Sequence, residues 1–401
     1  MVATAVRVGL CAAFVWLAPA TGHAQGNSPA AGFACRVQSC STLIPSAPPD
    51  DPTDNDCAYR NGNEWWLDSV AGALAWSDQP VKHPVIVAVF DDGAAIDHPA
   101  LRNRLWTNEA EAHGKPGVDD DGNGYIDDVH GWDFVENHPI ESPQGACRNA
   151  PSHGTFMASL IAAERNHGIG IAAAGSDGAR VMVLRIVSCT DLRVDPDRVR
   201  RALDYATRMG ARILSFSAHW NASTPELDAA FADIADRPDS PRSAIVVASV
   251  PNKGEPQAGY PAAYRFRRIV RAVPIGDGAQ ISPGTSPVPE GLNLGAPSAC
   301  VIGATAAPGF AIANGSSNST AILAGLLAGI WASPRYVKYS TDEFLQRVVA
   351  GEMARSARRS LPGRLEAYLS GVPLADACTL SGGTRSAKTC RRAGPDEKER
   401  P

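Results

Sequence analysis

Three short segments, far apart in this 401-residue chain, hold side chains that together could activate an alcohol. The first, Val85 to Gly93, carries the acidic pair Asp91 and Asp92. The second is His153-Gly154-Thr155, and the third, Asn314 to Ser319, offers Ser316, Ser317 and Ser319. A serine hydroxyl is a poor nucleophile until a histidine takes its proton, and the histidine works better when a carboxylate orients it. Such a set supports acyl transfer: attack on a carbonyl carbon, loss of a leaving group, then hydrolysis of the acyl-enzyme by water. Each residue type also has a plainer use. Asp-Asp-Gly is a common surface turn, a single histidine more often serves packing, and serines start helices. What distinguishes the set is where its members fall among strands and helices.

The apolar run Val85 to Phe90, between Pro84 and Gly93, predicts a parallel strand covered on both faces, and it delivers the acidic pair at its carboxyl end. Gly154–Ala163 and Ser317–Trp331 predict helices, the second nearly uncharged and so buried. A serine in the first turn of such a helix lies near backbone N–H groups without acceptors, which favour negative charge on a reacting oxygen. Further strands are predicted over Arg180–Val187, Arg212–Ser217, Ser243–Ser249 and Arg268–Val273. Further helices are expected over Trp65–Trp76, over Asp195–Met209 with Asp195 or Asp191 as cap and Gly210 as stop, and over Ser340–Ala357 with Ser340 or Thr341 as cap. Strands alternating with helices imply a parallel sheet with helices on both faces, which presents side chains at the carboxyl ends of its strands.

Order and flanking residues together resemble the subtilisin-like serine proteases, over about Trp65 to Leu374. Asp91, followed by Ile96-Asp97-His98-Pro99, aligns with the family's catalytic aspartate; Asp92 stands where the family more often has Thr or Ser. His153-Gly154-Thr155 resembles the His-Gly-Thr helix start, with Phe156 where a second histidine is usual. Gly315-Ser316-Ser317-Asn318-Ser319 resembles Gly-Thr-Ser-Met-Ala, which makes Ser317 the nucleophile, and Ala321-Ile322 replaces the usual Pro-His. By the same resemblance Asn252 donates its side-chain amide to the oxyanion, although Pro-Asn-Lys-Gly is also plain turn chemistry. Ser217, Ala218 and His219, with Ser249 and Val250, would line the substrate; His219 and Pro251 take places the family gives to glycine. The implied fold is α/β, three-layer and subtilisin-like, with a mainly parallel central sheet between helices. The implied function is a serine endopeptidase acting on proteins or peptides as a monomer. The alternatives are a catalytically impaired relative that binds polypeptide, and an esterase. The latter would favour a Gly-x-Ser-x-Gly turn, and Ser319 stands where its second glycine would be.

A second constellation concerns a cation. Asp119, Asp121 and Asn123 place oxygens at alternate positions, Gly124 comes sixth, Tyr125 offers its carbonyl, and Asp127 or Asp128 a closing carboxylate. His130 stands twelfth, where a bidentate glutamate is expected, and the plainer reading is a solvated acidic turn. The expectation is structural Ca2+, with no cofactor needed for catalysis.

The bulk properties agree with an exported enzyme. Residues 1–24 read as a signal peptide: Arg7, an apolar run from Val8 to Ala20, and small residues up to Ala24. No later stretch is long and apolar enough to span a membrane. Nine cysteines less Cys11 leave eight, an even number that suggests disulfides in a secreted or periplasmic protein; Cys35–Cys40 and Cys378–Cys390 are spaced as local pairs. A net charge of −5 gives no basic footprint for nucleic acid. The division expected is signal peptide 1–24, an irregular cysteine-bearing extension 25–60, a catalytic domain 61–375 and a polar tail 376–401.

Overall fold

The computed structural model describes residues 81–142, 153–188, 193–251, 259–276, 287–306 and 309–350, with shorter pieces at 6–10, 64–70 and 75–76 and the single residues 56, 58, 282 and 285. In chain order the strands are β1 (Val6–Leu10), β2 (Val85–Asp91), β3 (Gly131–Asp133), β4 (His138–Pro139), β5 (Ala179–Arg185), β6 (Arg193–Val194), β7 (Ile213–Phe216), β8 (Ala218–Trp220), β9 (Ile245–Ser249), β10 (Ile269–Ile275), β11 (Leu292–Pro297), β12 (Val301–Ala304) and β13 (Phe310–Ala313). The helices are α1 (Trp65–Ser69), α2 (Glu109–Ala112), α3 (His153–Ala162), α4 (Pro196–Arg208), α5 (Pro225–Ala235), α6 (Ser316–Trp331) and α7 (Thr341–Phe344), the last running into a π-turn over Leu345–Ala350.

The central sheet has eight strands in the order β11-β10-β9-β7-β2-β5-β3-β4, and every pairing is parallel except the terminal β3–β4 hairpin. Alternation along β2 explains the layers. Val85, Val87 and Val89 join the apolar cluster that holds α3 and α6, whereas Ala88 and Phe90 join the cluster that holds α4 and α5. Two covered faces make three layers, as the sequence implied.

The helix ends follow local chemistry. Asp195 caps α4 by accepting from the Asp197 and Arg198 amides, and Gly210 ends it at φ 85°. Ser340 and Glu343 form a reciprocal capping box on α7. Three expectations are corrected. The Trp65–Trp76 helix is only Trp65–Ser69. The helix from Ser340 keeps α geometry only to Phe344, and its expected end lies outside the described residues. Helix α5, capped by Thr224, was not expected.

Two features outside the sheet bear on the domain boundaries. Asp56 and Ala58 already dock on the domain: buried Asp56 accepts from the Asn166 and Gly168 amides, and the Ala58 amide donates to the Gly170 carbonyl. Within the expected signal peptide, β1 pairs antiparallel with β6 and with β8, Gly9 facing His219.

Candidate active site

Asp91 is the last residue of β2, the strand between β5 and β7, so its carboxylate emerges at the carboxyl end of the sheet. Its backbone carbonyl accepts from the Ile186 and Val187 amides, which fixes the strand end. His153 opens α3, and its Nδ1 lies 2.8 Å from each carboxylate oxygen of Asp91. Both residues are buried. A ring that donates Nδ1–H to a carboxylate keeps Nε2 as the basic nitrogen.

This contact needs a close approach, and Gly154 permits it. A Cβ there would collide with the Gly93 carbonyl oxygen and stand 3.0 Å from Asp91 Cβ. Gly325 does the same between the helices: a Cβ there would stand 2.5 Å from the Ile161 carbonyl oxygen, so α6 packs directly on α3. The two helices thus bring their first turns to one end of the sheet.

Ser317 is the second residue of α6, buried, and its Oγ has no hydrogen-bond partner among the described residues. The turn before it is pinned by its neighbours. Asn318 Nδ2 donates to the Ser298 and Ala313 carbonyls, and Ser319 Oγ to those of Ala296 and Pro297 at the end of β11. This explains a polar pair at the mouth of an apolar helix. The cap position, Gly315, supplies no side-chain acceptor to the first turn of α6, and its carbonyl accepts from the Asn318 amide.

The other predicted residues fall as follows. Ser217 joins β7 to β8 and donates to the Ser317 carbonyl at 3.4 Å. Ala218 and His219 lie on β8, the His219 ring against Gly259. Ser249 ends β9 and reaches the Ser217 carbonyl at 3.5 Å, and Val250 packs with Val273 and Ile275. Asn252 lies outside the described residues.

Asp92 does not face solvent. Its Oδ2 accepts from the His153 amide at 3.0 Å and its Oδ1 from the Gly154 amide at 2.7 Å. Burial first, and then the Asp91 charge, push its carboxyl up to about 6, against the opposing pull of His153 and the two amides. The Asp-Asp-Gly sequence hints at a second acid but not at where it points.

The acidic loop between Asp91 and His153 is built around Glu111 of α2, a residue outside the ligand spacing read from the sequence. Carboxylate oxygens of Glu111, Asp119 and Asp121 lie within 4.8 Å of one another, a span that one Ca2+ with bonds of about 2.4 Å can bridge. Buried Glu111 also accepts from the amides of Asp120, Asp121 and Asp127. Asp119 accepts from the Gly124 and Asn123 amides, and these bonds hold its carboxyl below the usual range. Asn123 donates to Asp121 and Asp128, and its Oδ1 accepts from the Tyr125 amide. The Tyr125 ring packs edge-on against Trp132, Phe134 and Tyr205. Asp127 turns to the Gly117 amide. Asp128 is fully buried, accepting from Asn108, Asn123 and the Tyr205 hydroxyl, and burial holds its carboxyl above the usual range.

Comparison with known proteins agrees with this geometry. The family model described as "Subtilase family" matches residues 82–365. Subtilisin-like protease 1 of Plasmodium vivax is 42% identical over 98 residues, which is 24% of this chain and 14% of that protein. The protein of the same name from Plasmodium falciparum (isolate 3D7) is 36% identical over 85 residues, 21% of this chain and 12% of its own. The thermophilic serine proteinase of Bacillus sp. (strain AK1) is 24% identical over 223 residues, 55% of this chain and 46% of that protein. The matched part is thus less than half the length of each relative. A family match over most of the chain, on a mainly parallel three-layer sheet, places this protein in the subtilase family.

Proposed function

We propose that the protein is a secreted serine endopeptidase that hydrolyses peptide bonds through an acyl-enzyme on Ser317. The observation that carries this is the seating of His153 Nδ1 at 2.8 Å from both oxygens of buried Asp91, on a helix packed directly against the helix that carries Ser317 in its first turn. His153 Nε2 takes the Ser317 Oγ proton as Oγ bonds to the substrate carbonyl carbon. The resulting oxyanion is met by the Ser317 amide and the Asn252 side chain. The C–N bond then breaks, and the leaving amine takes the proton from His153. Water, deprotonated by the same ring, releases the acid.

An extended substrate would lie antiparallel along β8, past Ser217, Ala218 and His219, and under Ser249 and Val250. The pairing of β1 with β8 supports this, since that edge already accepts an extended segment. Removal of the signal peptide would clear it. Export is supported by the leader composition and by the even number of cysteines left once the leader is removed. Among the described residues no helix is long and apolar enough to cross a membrane. Calcium, held by Glu111, Asp119 and Asp121 with Asn123 beside them, would rigidify the loop that joins the strand of Asp91 to the helix of His153 and would take no part in the chemistry.

The test is labelling by a fluorophosphonate probe, parent beside Ser317→Ala. Labelling confined to the parent is expected. Equal labelling of a folded Ser317→Ala protein refutes the assignment.

A further inference from the structure

Two carboxylates, not one, touch the residue that serves as base. Asp91 meets the His153 ring, whereas Asp92 meets its backbone, accepting the amide of His153 with one oxygen and that of Gly154 with the other. The amides of a helix's first turn have no acceptor within the helix, and a carboxylate there both satisfies them and favours the positive end of the helix dipole. Asp92 therefore caps α3 from the bend that follows β2, 61 residues away in sequence. Its own amide donates to Asp91 Oδ1 at 2.9 Å, so the pair is braced internally as well.

The close approach that Gly154 allows is the same one that brings Asp92 under the helix. The position of the imidazole relative to β2 is thus set at two points: the ring on Asp91 and the main chain on Asp92. A ring held only through Nδ1 can swing about that one bond. Holding the main chain as well removes the swing, and small displacements of a base cost rate steeply.

We propose that Asp92 is a positioning residue of the hydrolytic site, its ionised carboxylate clamping the first turn of α3 to the end of β2 so that His153 meets Ser317 in register. The inference rests on the reading of His153 as general base. It has a consequence in acid. The charged groups that act on Asp92 are Asp91, one residue back on β2, and His153 on α3. Its neighbours Gly93 and Gly154 bring backbone alone, and Thr155 only a hydroxyl. Protonating Asp92 takes one acceptor from the clamp and removes a negative charge that favours the imidazolium formed during the reaction. Activity should therefore depend on an ionised Asp92 as well as on a His153 ring free to take a proton.

The experiment is the pH dependence, from about 4.5 to 8, of the second-order rate constant for fluorophosphonate labelling. It compares the parent with Asp92→Asn, which keeps the shape without the charge, and Asp92→Ser, which keeps only a short hydroxyl. Below about pH 6 the parent rate should fall more steeply than one proton gives, drop about ten-fold beyond a one-proton profile, and converge on the rate of Asp92→Asn. Both variants should label on the order of ten-fold more slowly at pH 7.5 and fall with a slope of one. Folding of each variant is read by circular dichroism. Should one variant fail to fold, the other and the parent's own slope decide. A parent slope of one, or folded variants that keep the parent's rate and slope, overturns the role of Asp92 while leaving the hydrolase reading intact. A parent that labels at no pH overturns that reading, and this inference with it.

Discussion

Substituting Gly154 by alanine tests whether the contact between α3 and β2 is what makes the site. The added methyl would meet the Gly93 carbonyl oxygen well inside contact distance, with Asp91 Cβ at 3.0 Å and the Gly93 carbonyl carbon at 3.1 Å. Two of these atoms are backbone of the turn that follows β2, and Asp91 is held by its own carbonyl bonds to Ile186 and Val187, so neither side yields cheaply. Relief requires the first turn of α3 to withdraw by about 1 Å, and misplacing a catalytic group by that much costs about 10²-fold in rate. It also stretches the 2.7 Å bond from the Gly154 amide to Asp92 and the 2.8 Å contacts of His153 with Asp91. Overpacking of this kind costs about 1–3 kcal/mol of stability, which a domain of this size survives. The assay is the rate of fluorophosphonate labelling beside a urea melt. A folded Gly154→Ala protein that labels within about three-fold of the parent would mean that the histidine does not depend on this approach, and the positional argument would fail.

Stability should respond to Asp92 in the opposite sense from activity. Its folded titration near 6, against 3.8 for an unperturbed aspartate, means that the native state holds the proton more tightly than the unfolded chain. The stabilisation is therefore fully present below pH 3.8 and lost as the pH rises through 6, a loss of about 3 kcal/mol by pH 7. Urea melts should show Asp92→Asn gaining on the parent by up to that amount between pH 4 and 7; a difference that does not change with pH would count against this. Calcium at about a hundred times its dissociation constant should raise the melting temperature by about 5 °C. EDTA should reverse the gain, and Glu111→Gln with Asp119→Asn should abolish it. A melting temperature indifferent to calcium would leave the acidic loop as hydrogen-bonded turns alone.

Much of the fold is legible along the chain because its causes are local. The apolar run before Asp91 has the length of a covered strand, Asp195 and Ser340 stand where helices need caps, and the uncharged stretch after Ser317 can only be a buried helix. The types and order of Asp91, His153 and Ser317 were legible for the same reason, each sitting at an end of an element its neighbours specify. What they cannot reveal is contact across long separations. Which of two adjacent aspartates meets the imidazole ring and which caps its helix depends on how α3 docks on β2. That docking depends on the missing side chain of Gly154 and on how closely Gly325 lets α6 approach. Glu111 enters the acidic loop from α2 in the same way, outside any spacing rule, because backbone amides of the loop turn toward it. Local pattern assigns residues to elements. Only packing between elements decides which oxygen a given proton finds, because that choice is made by side chains and main chain brought together through a shared apolar core.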